Sequence, residues 1–323
     1  MAHFNKKAKL RAKEELWNHP TKHNDMMNRL RFFLIIFFVL SFSIPGHSQR
    51  LLDGGEIILL NSDFTSFPDT GRSQGHNYDG VLYDAASHYS DNKIIVIIPK
   101  KLVPGKTPDL IFWFHGWRNS IDSSLSHFHL AEQFLASQRN AILILAETAK
   151  NSPDSYGGKL ELPGIFAKLV EDIFSALEKR KYLPAGSAPG HIILAGHSGA
   201  YRVMAMILQR GGLPVCEVQL FDALYAEENI FEDWIKSSKG NRFINIYTNQ
   251  GGTAENSVAM KEKLVAGQVS IVFSEEMNMN AEKLAGNRVI FIHSEHEHND
   301  IIMQPDNFRF FLENSGCLKS VSR

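Results

Sequence analysis

The sequence predicts an α/β fold in which a mostly parallel central sheet is covered by helices on both faces. Three observations carry that expectation. Short, uninterrupted apolar runs recur along the chain, and amphipathic stretches of helical period lie between them. No internal repeat or low-complexity linker divides the series, so one domain is expected over residues 50–323.

The runs come in order. Residues 93–98 are β-branched and stop at Pro99, which marks a strand. Further strands are expected at 110–114, 141–145, 191–195, 217–221, 242–247 and 288–292. Continuous apolar strands are what a sheet buried on both faces requires. Residues 165–180 place Phe166, Leu169, Val170, Ile173, Phe174 and Leu177 along one helical face. Residues 125–138 and 200–209 read the same way, with a closing helix around 308–312. Residues 50–90 are rich in Gly, Ser, Asp and aromatics, and predict an irregular lead-in with one early hairpin.

Composition narrows the function. Lys and Arg number 34 against 35 Asp and Glu, so the basic excess of a nucleic-acid binder is missing. Two cysteines, Cys216 and Cys317, cannot build a Cys-rich metal site or a stapled mini-fold. Residues 32–44 are apolar and uncharged, follow Arg29 and Arg31, and precede Pro45 and Gly46. The run is shorter than the ~20 residues of a membrane span. Residues 1–49 therefore read as a secretory signal peptide cut near Ser48 or Gln49, with Met26 or Met27 as candidate starts. The other reading is an uncleaved N-terminal anchor. A cleaved signal implies a secreted or periplasmic protein with no stable membrane span. The two cysteines would then meet an oxidising environment, and are expected to stay separate.

The strongest chemical signal is Gly196-His197-Ser198-Gly199-Ala200. It follows an apolar strand and precedes a helical stretch. A serine in such a turn stands exposed at the carboxyl edge of the sheet, and small neighbours are needed because the turn is crowded. Alanine replaces the usual last glycine.

With this elbow in its strand–helix context, the chain resembles the α/β-hydrolase superfamily over residues 90–312. More narrowly, it resembles a poorly characterised group of secreted bacterial α/β-hydrolase-like proteins. The narrower likeness rests on 114–119 (FHGWRN), 154–161 (DSYGGKLE), 196–199 (GHSG) and 221–225 (FDALY). The resemblance implies the α/β-hydrolase fold and a hydrolytic serine, and names no substrate. It also implies that the residue after His115-Gly116, Trp117, supplies one N–H of an oxyanion hole, and that Gly199 supplies the other.

A serine hydroxyl needs a base, and in this fold the chain order is serine, acid, histidine. His293, His296 and His298 follow the last strand. His298 stands farthest into the loop and is the first choice, with His296 second. The loop after the penultimate strand, 247–252, holds no carboxylate. Asp222, directly after the preceding strand and among apolar neighbours, is the expected acid, and Glu255 is the alternative. The other reading of Asp222 is a helix N-cap or turn aspartate, and Glu255 is then the candidate acid. The same histidines, with Glu295, Glu297 and Asp300, could ligate a metal, but their spacing fits no helical zinc motif, and no metal or cofactor is expected. His115, Arg118, Tyr156 and Lys159 are candidates for substrate contact. Tyr201 and Tyr225 could stack on a sugar or an aromatic acyl group.

These readings predict an exported serine hydrolase acting on small-molecule or polysaccharide esters through Ser198, His298 and Asp222. An amidase or peptidase with the same triad, and a non-catalytic binding protein on the same fold, are the alternatives.

Overall fold

The computed structural model describes residues 49–103 and 105–321. All but the last residue of the expected signal segment lies outside them. No described helix is long and apolar enough to cross a membrane.

Among the described residues, ten strands form one sheet: β1 (Gln49–Leu52), β2 (Gly55–Asn61), β5 (Lys93–Pro99), β6 (Asp109–Phe114), β7 (Ala141–Ala146), β8 (Ile192–His197), β9 (Glu217–Phe221), β10 (Arg242–Thr248), β11 (Val272–Glu275) and β12 (Val289–Ser294). A separate hairpin joins β3 (His76–Tyr78) to β4 (Val81–Tyr83). The sheet order is β1-β2-β5-β7-β6-β8-β9-β10-β12-β11. Every pairing from β7 to β11 is parallel, whereas β5 runs antiparallel to both of its neighbours. This is the arrangement of the α/β-hydrolase fold, which the chain adopts.

The helices are α1 (Ala85–His88), α2 (Ile121–His127), α3 (Leu130–Ala136), α4 (Ile165–Lys179), α5 (Tyr201–Arg210), α6 (Glu228–Ser237), α7 (Ala254–Ala266), α8 (Ala281–Ala285) and α9 (Asn307–Glu313). Alternate strand residues feed two cores. Leu110, Phe112 and Phe114 pack with α4, α5, α6 and α7, while Ile111 and Trp113 pack with α2, α3, α8 and α9. The full burial of β6, β7 and β8 explains why their sequences are uninterrupted apolar runs.

Two local expectations change. The single helix expected over 125–138 is two helices, because His129 adopts a left-handed backbone (φ 49°) between α2 and α3. The lead-in holds two hairpins where one was expected, β3–β4 and β1–β2, and the latter extends the main sheet beside β5 and buries Ile57, Ile58 and Leu60.

The expectation of separate cysteines is overturned. Cys216 and Cys317 form a disulfide with their Cα atoms 6.5 Å apart. It ties the start of β9 to the segment after α9. Beside it, Ser315 Oγ donates to the buried carboxylate of Glu217 at 2.6 Å. Closing a loop across a sequence separation of 101 restricts the unfolded chain strongly. Cys216→Ser or Cys317→Ser is expected to lower unfolding stability by about 2–5 kcal/mol. Urea titrations with and without reductant check this. Reductant should destabilise the native chain and leave the variants unchanged.

Candidate active site

The parallel strands β6, β8, β9, β10 and β12 end at one edge of the sheet, and their loops carry the candidate residues. The register sets who meets whom. Phe114 pairs with Gly196, His197 with Phe221, and Thr248 with Ser294. The loops beginning at His115, Ser198, Asp222, Asn249 and Glu295 are therefore neighbours.

Ser198 occupies the elbow after β8 with φ 55°, a left-handed conformation that is costly for a residue with a side chain. The turn is crowded on two sides. A Cβ on Gly196 would lie 2.7 Å from Ala200 Cβ and 2.5 Å from Met204 Sδ. Ala200 itself has an ordinary helical backbone (φ -69°), which is why it can replace the usual glycine. On the other side, a Cβ on Gly116 would lie 2.4 Å from Ser198 Cβ and 3.0 Å from Gly199 N. The loop after β6 thus lies directly against the elbow. Trp117 N–H, the expected oxyanion donor, has no acceptor among the described residues.

Asp222 also has a positive φ, 46°, and is fully buried. His298 Nδ1 donates to its Oδ2 at 2.6 Å, and Thr248 N and Oγ1 donate at 3.1 and 2.8 Å. Thr253 Oγ1 adds a fourth bond. Burial alone would push this carboxyl up, but the bonds from His298, Thr253 and Thr248 outweigh it and hold the group below the usual carboxylate range. Gly251 presses on the same carboxylate, since a Cβ there would lie 1.7 Å from Oδ2. The loop after β10, which lacks a carboxylate, instead supplies the donors and the clearance for one. The sequence signal was present in Thr248 and Thr253, but hydroxyls without a known acceptor point to nothing.

The structure brings His298, and not His296, to Asp222. His296 Nε2 faces Glu276 at 3.8 Å. Glu255, the alternative acid, is exposed on the first turn of α7. Ser198 and His298 make no direct hydrogen bond. The phenol of Tyr225, which donates to Gly251 O, lines the same cavity as Ser198. Burial, then the charge of Asp222, pushes that phenol up to about 12, so it is neutral.

Sequence reasoning passed over His197. It is buried, and its Nε2–H donates to the His298 carbonyl at 2.9 Å. The two rings lie 4.4 Å apart. Burial, and then His298, push His197 down to about 3, which leaves it neutral.

The expected substrate contacts fare differently. His115 is buried with both ring nitrogens engaged, one with Gly116 O at 2.8 Å and the other with Glu147 at 2.6 Å and Thr148 at 2.8 Å. Its ring is engaged by the loop itself. Tyr156 donates to Asp69 at 2.8 Å, and Lys159 donates to Asp63 O at 2.6 Å. With the Arg72–Asp154 pair at 2.7 Å, they fasten loop 152–161 to the lead-in. His115, Tyr156 and Lys159 thus each have a protein partner. Arg118 is exposed, with φ 54° and no ion-pair partner among the described residues. The cavity beside Ser198, about 420 Å³, is lined by Trp117, Ser155, Ser198, Gly199, Tyr201 and Tyr225.

The three histidines of the last loop face different partners. Among the described residues, one group could hold a cation, Glu275, His293 and Glu295, and it includes neither His296 nor His298. In it, His293 Nδ1 already bonds Glu275 at 2.6 Å.

No family model and no curated protein matches the sequence. Among solved structures, the chain is similar to FphF, a fluorophosphonate-binding serine hydrolase of Staphylococcus aureus, at 10% identity and TM-score 0.49, over 81% of this chain and 99% of that one. It is also similar to the feruloyl esterase module from clostridium thermocellum (11% identity, TM-score 0.48, 82% and 89% covered). A third likeness is to an S-formylglutathione hydrolase from Agrobacterium tumefaciens (10% identity, TM-score 0.45, 83% and 99% covered). The likeness is one of fold.

Four variants test the elbow through the rate at which an activated phosphonate ester labels Ser198. Gly116→Ala should slow labelling about 5- to 150-fold, since overpacking of this kind costs ~1–3 kcal/mol. Gly105→Ala, where the nearest atom to the new Cβ is 3.9 Å away, should leave it unchanged. His197→Phe removes the donor to the His298 carbonyl and should slow labelling about 10-fold, whereas His197→Gln retains an N–H and should recover most of the rate.

Proposed function

We propose that the chain is a serine hydrolase acting on carboxylic esters. Ser198 is the nucleophile, His298 the base, Asp222 its orienting acid, and the N–H groups of Trp117 and Gly199 the oxyanion donors. The observation that supports this best is the 2.6 Å contact between a buried carboxylate and His298 at the sheet edge that also carries the strained Ser198.

The steps follow from the residue chemistry. Ser198 Oγ bonds to the acyl carbon as its proton passes to His298 Nε2. The carbonyl oxygen becomes an oxyanion, stabilised by two N–H groups fixed beforehand. His298 returns the proton to the leaving oxygen, and the alcohol departs. Water then attacks the acyl-enzyme with His298 again as base, which releases the acid and restores Ser198. Asp222 keeps Nδ1 of His298 protonated and compensates the charge on the ring. The open Ser198–His298 link fits a resting site, since such bonds often tighten only around substrate.

The non-catalytic reading drew on the missing carboxylate after β10. Thr248 and Thr253 remove that ground, because their hydroxyls serve Asp222. Amide substrates share every step and differ in the leaving group.

Export belongs to the same proposal, with residues 1–49 as the signal and 50–323 as the hydrolase domain. The Cys216–Cys317 disulfide supports it, because such bonds persist in oxidising compartments.

The test is hydrolysis of a short-chain aryl ester by the purified protein. Ser198→Ala should reduce turnover to background, and Asp222→Asn should lower kcat by roughly 10³–10⁴. A chelator should change nothing. Turnover that persists in Ser198→Ala sinks the assignment.

A further inference from the structure

We infer that the cavity beside Ser198 holds a flat, uncharged ring on the acyl side of the substrate. This rests on the reading of Ser198 as nucleophile and goes beyond it to the substrate class.

The first observation is the chemistry of the walls. Trp117, Tyr201 and Tyr225 supply three aromatic rings, and no charged side chain lines the cavity. The nearby guanidinium of Arg202 is held by Glu161 at 2.7 and 2.9 Å. The walls themselves offer no charged partner to an anionic or a cationic group. Neutral rings gain from offset and edge-on contacts that an aliphatic chain does not make.

The second observation is how firmly the indole is held. Trp117 Nε1 donates to Ser155 Oγ at 2.7 Å. The ring of Tyr78, on β3, meets the indole edge-on at 5.2 Å. The elbow closes against the indole, since a Cβ on Gly199 would lie 2.5 Å from Trp117 Cδ1. Even so, Trp117 stays 42% exposed. A large apolar face that is fixed and still open binds a flat partner at little ordering cost.

The third observation concerns polar edges. Ser155 Oγ accepts from Trp117, so its own proton remains to be donated. The Tyr201 hydroxyl makes no hydrogen bond among the described residues. A ring with a hydroxyl or ether oxygen could use both.

The acyl side follows from which site residues line the cavity. Trp117 and Gly199, the oxyanion donors, do so. His298, which must protonate the leaving oxygen, does not.

Four esters separate the outcomes: methyl acetate, methyl phenylacetate, methyl cyclohexylacetate and phenyl acetate. Each kcat/KM is divided by the rate of alkaline hydrolysis, in the native protein and in Ser198→Ala. Methyl phenylacetate should exceed methyl acetate by at least about 10-fold. It should also exceed methyl cyclohexylacetate. Tyr201→Ala and Tyr78→Ala should each lower the phenylacetate-to-acetate ratio. Equal rates for phenyl and cyclohexyl acyl groups would overturn the flat ring, with the hydrolase reading intact. A preference confined to phenyl acetate would overturn the acyl side. Loss of Ser198-dependent turnover for all four esters would remove the functional reading beneath the inference.

Discussion

The geometry of this site depends on how closely the loop after β6 can approach the turn after β8. Phe114 and Gly196 are register partners, so the two strands deliver their loops side by side. Only a residue without Cβ can stand at 116, and only small residues fit at 196 and 200. The left-handed backbone of Ser198, worth about 1–3 kcal/mol of strain, persists because packing on both sides over-determines it. The sheet cores below it stabilise the strained turn, and the turn in return exposes the hydroxyl.

Asp222 is the second fixed point. A bare carboxylate at full burial would be unfavourable by several kcal/mol. Four hydrogen bonds offset that cost, and they come from three separate segments: the end of β10, the loop before α7 and the loop after β12. The carboxylate therefore does more than face His298. It gathers the loops that follow β9, β10 and β12 around one charge. His197 completes the arrangement from the elbow side, since its N–H fixes the His298 main chain.

The central strands were legible because burial on both faces leaves only apolar residues, and the elbow was legible because its small residues follow such a strand. Ser198 was named from that elbow, Asp222 from its place after a buried strand among apolar neighbours, and His298 from its place farthest into the loop after the last strand. The lead-in strands β1 and β2 were obscured by glycine and polar neighbours, although Ile57, Ile58 and Leu60 are core residues. The helix break at His129 rests on backbone conformation, for which histidine carries no strong signal. Tyr156 and Lys159 look like free polar groups in sequence, and their acceptors Asp69 and Asp63 O lie far away in the chain. The disulfide was missed for the same reason. A separation of 101 residues says nothing about distance in space.

The disulfide also divides the chemistry along the chain. Asp222, Thr248, Thr253 and His298 all lie between Cys216 and Cys317, whereas Gly116, Trp117 and Ser198 precede both. Asp222 and His298, proposed as acid and base, belong to one covalently closed ring of polypeptide, and Ser198, proposed as nucleophile, lies outside it with Gly116 and Trp117. A single backbone cut in an exposed loop of the ring leaves every residue of the site attached to the same molecule.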